Sequence, residues 1–388
     1  EDLEDDDAEG EDMEDDGSEE GDGAMAGEIC AAADAGPVEI IHLTDISGES
    51  GTAIDDFWNG STLAAEAINE ECGSEVVVLE RIPTDFSVDG MEPKLLEAQE
   101  AEPTAIIGQG SSSQLQLNSV VDEGGIPVLW PVATGSGLID GENGSEWAWM
   151  VRPVNDVQGT IWGEHLTSLG ATNVWLECVE TQFGISGCDN AEAVLTENGI
   201  AIAGRNASAF DESDFTQSIV DLKAAGADAV ALVQFPSPQI AFTQQMEDND
   251  ALDVQIMGGA STEVIYQALS PAQQDATIAI ADCNPREDDP DVNEVFVATY
   301  DKDMSGLSAI AYDSVHLVVD AVARQGATDP DSVKAGLEST AWSGVCQDYS
   351  DSGNRALAHR AIVTSFTGGV IETLAEYPLD ADGTGLAG

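Results

Sequence analysis

Short apolar runs alternate with longer stretches in which apolar residues return at helical spacing, and this rhythm governs the chain from Val38 onward. VEIIHLTDI (Val38 to Ile46) reads as a buried strand, SGESGT as a turn, and Trp58 to Gly73 as a helix stopped by glycine. VVVLERI is a second strand, followed by a helix from Pro93 to Ala101. TAIIGQG, SSQLQLNSVVDEGG and IPVLWPV then read as strand, helix and strand. A second series starts near Val157, with helices in GTIWGEHLTSLG, NAEAVLTENG and FTQSIVDLKAAG and strands in NVWLECV, IAIAGRN and AVALVQF. DDPDVNEVFVATYDKDM reads as a loop and a helix, and IAYDSVHLVVDAVARQG as a further strong helix. Two blocks of βαβ repeats predict an α/β fold with two parallel sheets, each covered by helices on both faces.

The loops after successive strands carry the candidate chemistry. Between Gly108 and Asp156 the order is GQGSSS, then PVATGSG, then WMVRPVND. Small hydroxyls and backbone donors thereby fall where an open α/β sheet presents its ligand crevice. Serine also favours helix N-caps, so one of the three serines is expected to serve the backbone rather than a ligand.

Charge changes the picture of the surface. The chain of 388 residues has 75 acidic and 11 basic side chains, a net charge of -64, which excludes nucleic acid as a partner. The first 28 residues hold 16 of the acids and few apolar side chains, and residues 1–36 are expected to form a disordered acidic tether. Beyond residue 28 there remain 59 acids against the same 11 bases, so the folded part is acidic too and a saline, halophilic habitat is expected. No run of apolar residues is long enough to cross a bilayer and no signal sequence is evident, so a soluble chain, or one that has lost a targeting segment or lipid anchor, is expected. Six cysteines without a CxxC pair argue against zinc and suit disulfides in an extracytoplasmic compartment, with Cys178 and Cys188 able to close a short loop. The spacing leaves the pairing of the others open.

Taken in order, LTDISGESG, INEECG, GQGSSS, GIPVLWPVAT, VRPVNDVQG and SDFTQSIVDLKAAGADAV, with AYDSVHL, WSGVC and SGN farther on, resemble the type I periplasmic solute-binding proteins of the branched-chain amino acid (Leu/Ile/Val) transport class. The resemblance covers roughly Pro37 to Val370 and implies two Rossmann-like lobes joined by crossing segments at a hinge. It places residues 37–153 and 284–358 in one lobe and 154–283 and 359–388 in the other. It also implies a monomer that closes on an amino acid or related carboxylate or amide and delivers it to ABC permease subunits from the periplasm or cell surface, as a lipoprotein or secreted protein. No cofactor or metal is implied.

The same resemblance assigns the ligand carboxylate to Ser111, Ser112, Ala133 and Thr134. Phe183 and Phe235 stand where the family commonly has tyrosines, so two phenolic hydroxyls are replaced by plain rings, which favours an apolar ligand body. Leucine-binding members carry an acid for the ligand ammonium where this chain has Ala260. Either Asp45 or Glu263 substitutes for it, or the ligand is not an α-amino acid.

Other classes are weaker. A ligand-sensing regulator would use the same fold but needs a partner domain. A serine hydrolase lacks a GxSxG elbow, and His42, His165, His316 and His359 lie far in sequence from the serine loop. Trp58 and Trp130 fit the core better than a ligand platform, and the acidic DDPDVNE segment lacks the spacing of a calcium loop.

Overall fold

A computed structural model of the chain describes residues 29–47, 55–139 and 144–387. Strands β1 (Val38–Asp45), β2 (Val77–Thr84), β3 (Ala105–Gly108), β4 (Val128–Trp130) and β5 (Ala148–Met150) form an all-parallel sheet in the order β2-β1-β3-β4-β5. A second sheet contains β6 (Asn173–Val179), β7 (Ala201–Ser208), β8 (Ala229–Val233), β9 (Gln255–Gly258) and β10 (Thr277–Ala281). After the small antiparallel pair of β11 (Ala341–Ser343) and β12 (Asp348–Ser350), strands β13 (Arg360–Thr367) and β14 (Val370–Pro378) return to that second sheet. Its order is β14-β13-β10-β9-β8-β6-β7.

The α/β class with helix-covered parallel sheets is as expected, but the second sheet is mixed. β13 runs antiparallel to β10, and β14 antiparallel to β13. The turn between them is Gly368 and Gly369, with φ of +64° and +91°, the left-handed conformation that a two-residue hairpin requires. Helix starts also shift. The Val88–Glu100 helix begins at an Ser87 cap whose hydroxyl accepts from Gly90, so Pro93 lies inside it rather than at its start. Serines 112 and 113 open a short 3-10 helix (Ser112–Leu117) that precedes the Asn118–Gly124 helix, in place of one continuous helix.

Two core regions hold these layers together. One joins β1, β3 and β4 to β6, β8 and the intervening Asn155–Ser168 helix, with Trp130 and Trp162 fully buried. The other packs the first sheet against the Asp56–Cys72 and Gly306–Gln325 helices. These two helices approach closely because Gly60 has no side chain: a Cβ there would stand 2.0 Å from the Ser308 carbonyl oxygen. The Gly306–Gln325 helix is long and apolar enough to span a bilayer, but it is buried as a core helix.

Three disulfides, Cys30–Cys72, Cys178–Cys188 and Cys283–Cys346, use all six cysteines. The second closes the short loop anticipated from spacing and ties β6 to the Gln182–Glu197 helix. The first corrects the extent of the acidic tether: Cys30 is bonded to the end of the Asp56–Cys72 helix and Ala32–Ala35 is helical, so residues 29–36 belong to the fold. The rest of the expected tether lies outside the described residues.

The acid excess has a direct consequence for stability. Screening shortens from about 10 Å at about 0.1 M salt to about 3 Å at about 1 M, so repulsion among the surface carboxylates fades over that range. The melting temperature is expected to rise steadily between those salt concentrations in calorimetry. A flat profile would mean that the acids are already far enough apart to be harmless.

Candidate ligand-binding cleft

The C-terminal ends of the parallel strands of both sheets face one cleft. From the first sheet come Phe86 after β2, Ser111 and Ser112 after β3, Thr134 after β4, and Arg152 after β5. From the second come Phe183 after β6, Gln234 and Phe235 after β8, Ala260 after β9, and Asp282 after β10. Loops at strand ends are free to carry such groups because the strands themselves are committed to the sheet.

Each wall has its own character. On the first-sheet side, Ser112 Oγ lies 3.4 Å from Thr134 Oγ1 and accepts the Thr134 amide at 3.3 Å, which ties two successive strand-end loops together. Ser111 is the cap of the 3-10 helix, accepting from the Ser113 amide at 3.2 Å and donating to Gln114 Oε1 at 3.0 Å. It thus fulfils the ordinary capping role while still lining the cleft. The opposite wall is aromatic. Phe183 and Phe235 are 5.4 Å apart between ring centres, Phe210 lies 4.7 Å from Phe235, and Phe86 meets Phe235 edge-on at 6.2 Å across from the first sheet.

Between these walls sits a buried ion pair. Arg152 and Asp282 lie on two segments that cross from one sheet to the other, directly after β5 and β10. The guanidinium donates through Nε to Oδ1 at 3.1 Å and through Nη2 to Oδ2 at 2.9 Å, a two-pronged fork. A third donation, Nη1 to the Val132 carbonyl at 3.1 Å, anchors it to the end of β4. A third crossing segment joins at the same place, where Met150 exchanges backbone hydrogen bonds with Arg355 and Leu357.

Ser111, Ser112, Thr134, Phe183, Phe235 and Ala260 all line the cleft. Ala133 does not, a correction to the expected set. Its side chain is buried in the core while Val132 and Thr134 on either side face the cleft, as alternation along an extended segment dictates. Ala260 is held by Gln239, which accepts its amide at 3.2 Å and donates to its carbonyl at 3.1 Å. Neither acid considered as a substitute reaches the cleft: Asp45 accepts from the Ser47 amide at 2.8 Å, and Glu263 accepts from Gln267 at 2.6 Å on another face. Asp282 is the acidic side chain in the lining, and it is already forked by Arg152.

Arg152, Asp282, Phe86 and Gln234 were missed by sequence reasoning. Arg152 stands in the VRPVND motif, but its partner is 130 residues away, and nothing local marks Asp282. Trp130 is fully buried in the core, and Trp58, partly buried, carries the Arg81 guanidinium 5.4 Å above its ring rather than a place in the lining. None of the four histidines lines the cleft. No cluster of metal-binding side chains occurs among the described residues.

A family model described as periplasmic binding protein matches residues 37–369. The chain belongs to the periplasmic binding protein family. Solved structures with this fold include a periplasmic binding protein from Burkholderia mallei (16% identity, TM-score 0.79, covering 88% of this chain and 95% of that one). A solute-binding protein of an ABC transporter from R. palustris, in complex with benzoate, has 13% identity and a TM-score of 0.76 over 91% and 98% of the two chains. The branched-chain amino acid transporter substrate-binding protein LivJ from Streptococcus pneumoniae, in complex with isoleucine, has 18% identity and a TM-score of 0.75 over 88% and 98%. At these identities the likeness is one of fold. No curated protein matches the chain. The resemblance to periplasmic binding proteins is thus borne out as to family and fold, and with it the reading as a binding protein rather than an enzyme. Family membership places the protein outside the cytoplasm, where disulfides persist.

Proposed function

We propose that this protein captures a small carboxylate or amide with an apolar or aromatic body and presents it to an ABC permease. The observation that carries this reading is the pairing of walls: three hydroxyls on the first-sheet side and the Phe183 and Phe235 rings opposite, with Phe86 reaching across from the first sheet, and Ala260 where the resemblance to leucine-binding members implies an acid. Hydroxyls at strand ends capture an anion without a free cation, which suits so acidic a molecule. Rings without a polar handle contribute area and stacking to a flat apolar body. An α-ammonium would have to share Asp282 with Arg152, and burying it without full compensation costs several kcal/mol.

On this reading residues 37–153 and 284–358 move as one lobe and 154–283 and 359–388 as the other. The first sheet and the Gly306–Gln325 helix that packs on it support the first grouping, and the second sheet with its β13–β14 hairpin supports the second. The Arg152–Asp282 fork lies at the crossing, where closure would turn. A saline habitat accounts for the acid excess, since a surface of this charge is stable only when screened.

Calorimetry with leucine, its deaminated analogue 4-methylpentanoate, and benzoate separates the two ligand classes. The carboxylates without an ammonium are expected to bind more tightly than leucine. Tight leucine binding with no binding of 4-methylpentanoate would identify Asp282 as an ammonium partner and overturn the reading. Replacing Thr134 by valine removes a hydroxyl from the carboxylate side and is expected to weaken carboxylate binding by about 1–3 kcal/mol in the same titration.

A further inference from the structure

Gln234 is 1% exposed and lines the cleft beside Phe235 at the end of β8. Its Nε2 donates to Ser208 Oγ at 2.8 Å, and Ser208 Oγ donates its own proton to the Cys178 carbonyl at 3.5 Å. The serine therefore has only a lone pair to offer, which fixes the amide with its NH2 toward Ser208 and its oxygen away. That oxygen, Oε1, is buried and has no partner among the described residues. A buried acceptor left unpaired in a binding cleft is an opening for a donor on the ligand.

We propose that Gln234 is a specificity-determining residue whose Oε1 accepts a hydrogen bond from the body of the ligand. Resting on the carboxylate reading above, this narrows the ligand class to aromatic carboxylates that bear a hydroxyl or amino group. The carboxylate end meets the Ser112 and Thr134 pair at the first sheet, and the ring lies against Phe183 and Phe235. The donor at the far edge reaches Gln234 on the second sheet, so one ligand bridges both sheets. A neutral amide oxygen suits a neutral phenol or aromatic amine better than an ammonium, whose charge it would leave mostly uncompensated.

The test is titration of the full chain in molar salt with benzoate, 3-hydroxybenzoate, 4-hydroxybenzoate and 4-aminobenzoate. At least one donor-bearing ring is expected to bind about ten- to a hundredfold more tightly than benzoate. Gln234→Leu should remove that preference, bringing the donor-bearing ring to within about threefold of benzoate for the same variant. Ser208→Ala, which frees the amide to rotate, should reduce the preference without touching the cleft lining. The inference is overturned if benzoate binds the unmodified protein as tightly as every donor-bearing ring, or if the preference survives both substitutions. Absence of binding by all four probes overturns the aromatic-carboxylate reading and the inference with it, whereas equal binding by all four overturns the inference alone.

Discussion

Replacing Arg152 by alanine is expected to lower the unfolding free energy by about 3–5 kcal/mol, because it strands the Asp282 carboxylate in a site that water scarcely reaches. The Asp282 side chain is 5% exposed and receives two of the guanidinium protons, and Arg152 itself is 14% exposed. The Val132 carbonyl loses its donor in the same step. Asp282→Ala strands the cation instead and is expected to be similarly harmful. Replacing both residues together, with methionine for Arg152 and leucine for Asp282, is expected to recover most of the loss, since a buried pair contributes little beyond an apolar pair of similar volume. Chemical denaturation of the unmodified protein, Arg152→Met, Asp282→Leu and the double variant forms a double-mutant cycle. Additive losses would show that the two side chains do not act as a unit. The double variant also reports on function, since among the described residues it removes every formal charge from the cleft lining.

The second large effect is on acid stability. His42 lies in the centre of β1, fully buried, and burial together with the nearby Arg81 charge brings its pKa down to about 3. His316, packed between the rings of Tyr312 and Trp342, is brought down to about 4 by burial. In the unfolded chain both take up a proton near pH 6.5, so the unfolded state binds more protons throughout the interval below. The stability that the neutral rings contribute is complete above pH 6.5 and is lost as the pH falls toward their folded values. For His42 alone the loss by pH 4 is about 3 kcal/mol. Asp313 acts in the opposite sense. Burial raises it to about 7 against donors from Val345, Cys346 and Tyr349, so its contribution grows as the pH falls from there toward 3.8. Comparison of wild type with His42→Leu in denaturation curves from pH 7 to pH 4 cancels the Asp313 part. The variant is expected to lose about 3 kcal/mol less over that interval. Parallel curves for the two proteins would show that His42 is protonated in the fold.

Much of this molecule is legible in its amino-acid order. Strands such as Val38–Asp45 and Ala229–Val233 are buried on nearly every residue, so short runs rich in apolar residues mark them, and Gly73 ends its helix in the left-handed conformation at φ +61°. The loops that line the cleft were legible for the same reason: in a parallel sheet, the segment after each strand opens on the crevice, whatever the strand order. Position in the repeating unit thus marked the loops after β3 and β4, while the resemblance to a known family singled out Ser111, Ser112, Thr134, Phe183, Phe235 and Ala260. The hairpin at Gly368 and Gly369 carried a local signal as well, a glycine pair between two β-rich runs, though the expectation of parallel sheets passed over it.

What no local pattern contains is the meeting of distant segments. Arg152 and Asp282 are unremarkable where they stand, and only the crossing of two chain segments brings their charges within 3 Å. The free oxygen of Gln234 depends on Ser208 from one strand and the Cys178 carbonyl from another. Ala133 and Thr134 are equal candidates in sequence, and the direction of each side chain separates them. Local order thus determined the repeating units and which loops open on the crevice, since strand burial and turn chemistry act over a few residues. The tertiary structure decided which polar atoms in the cleft are spent on each other and which remain for a ligand, because hydrogen bonding and ion pairing are settled only between groups that folding brings into contact.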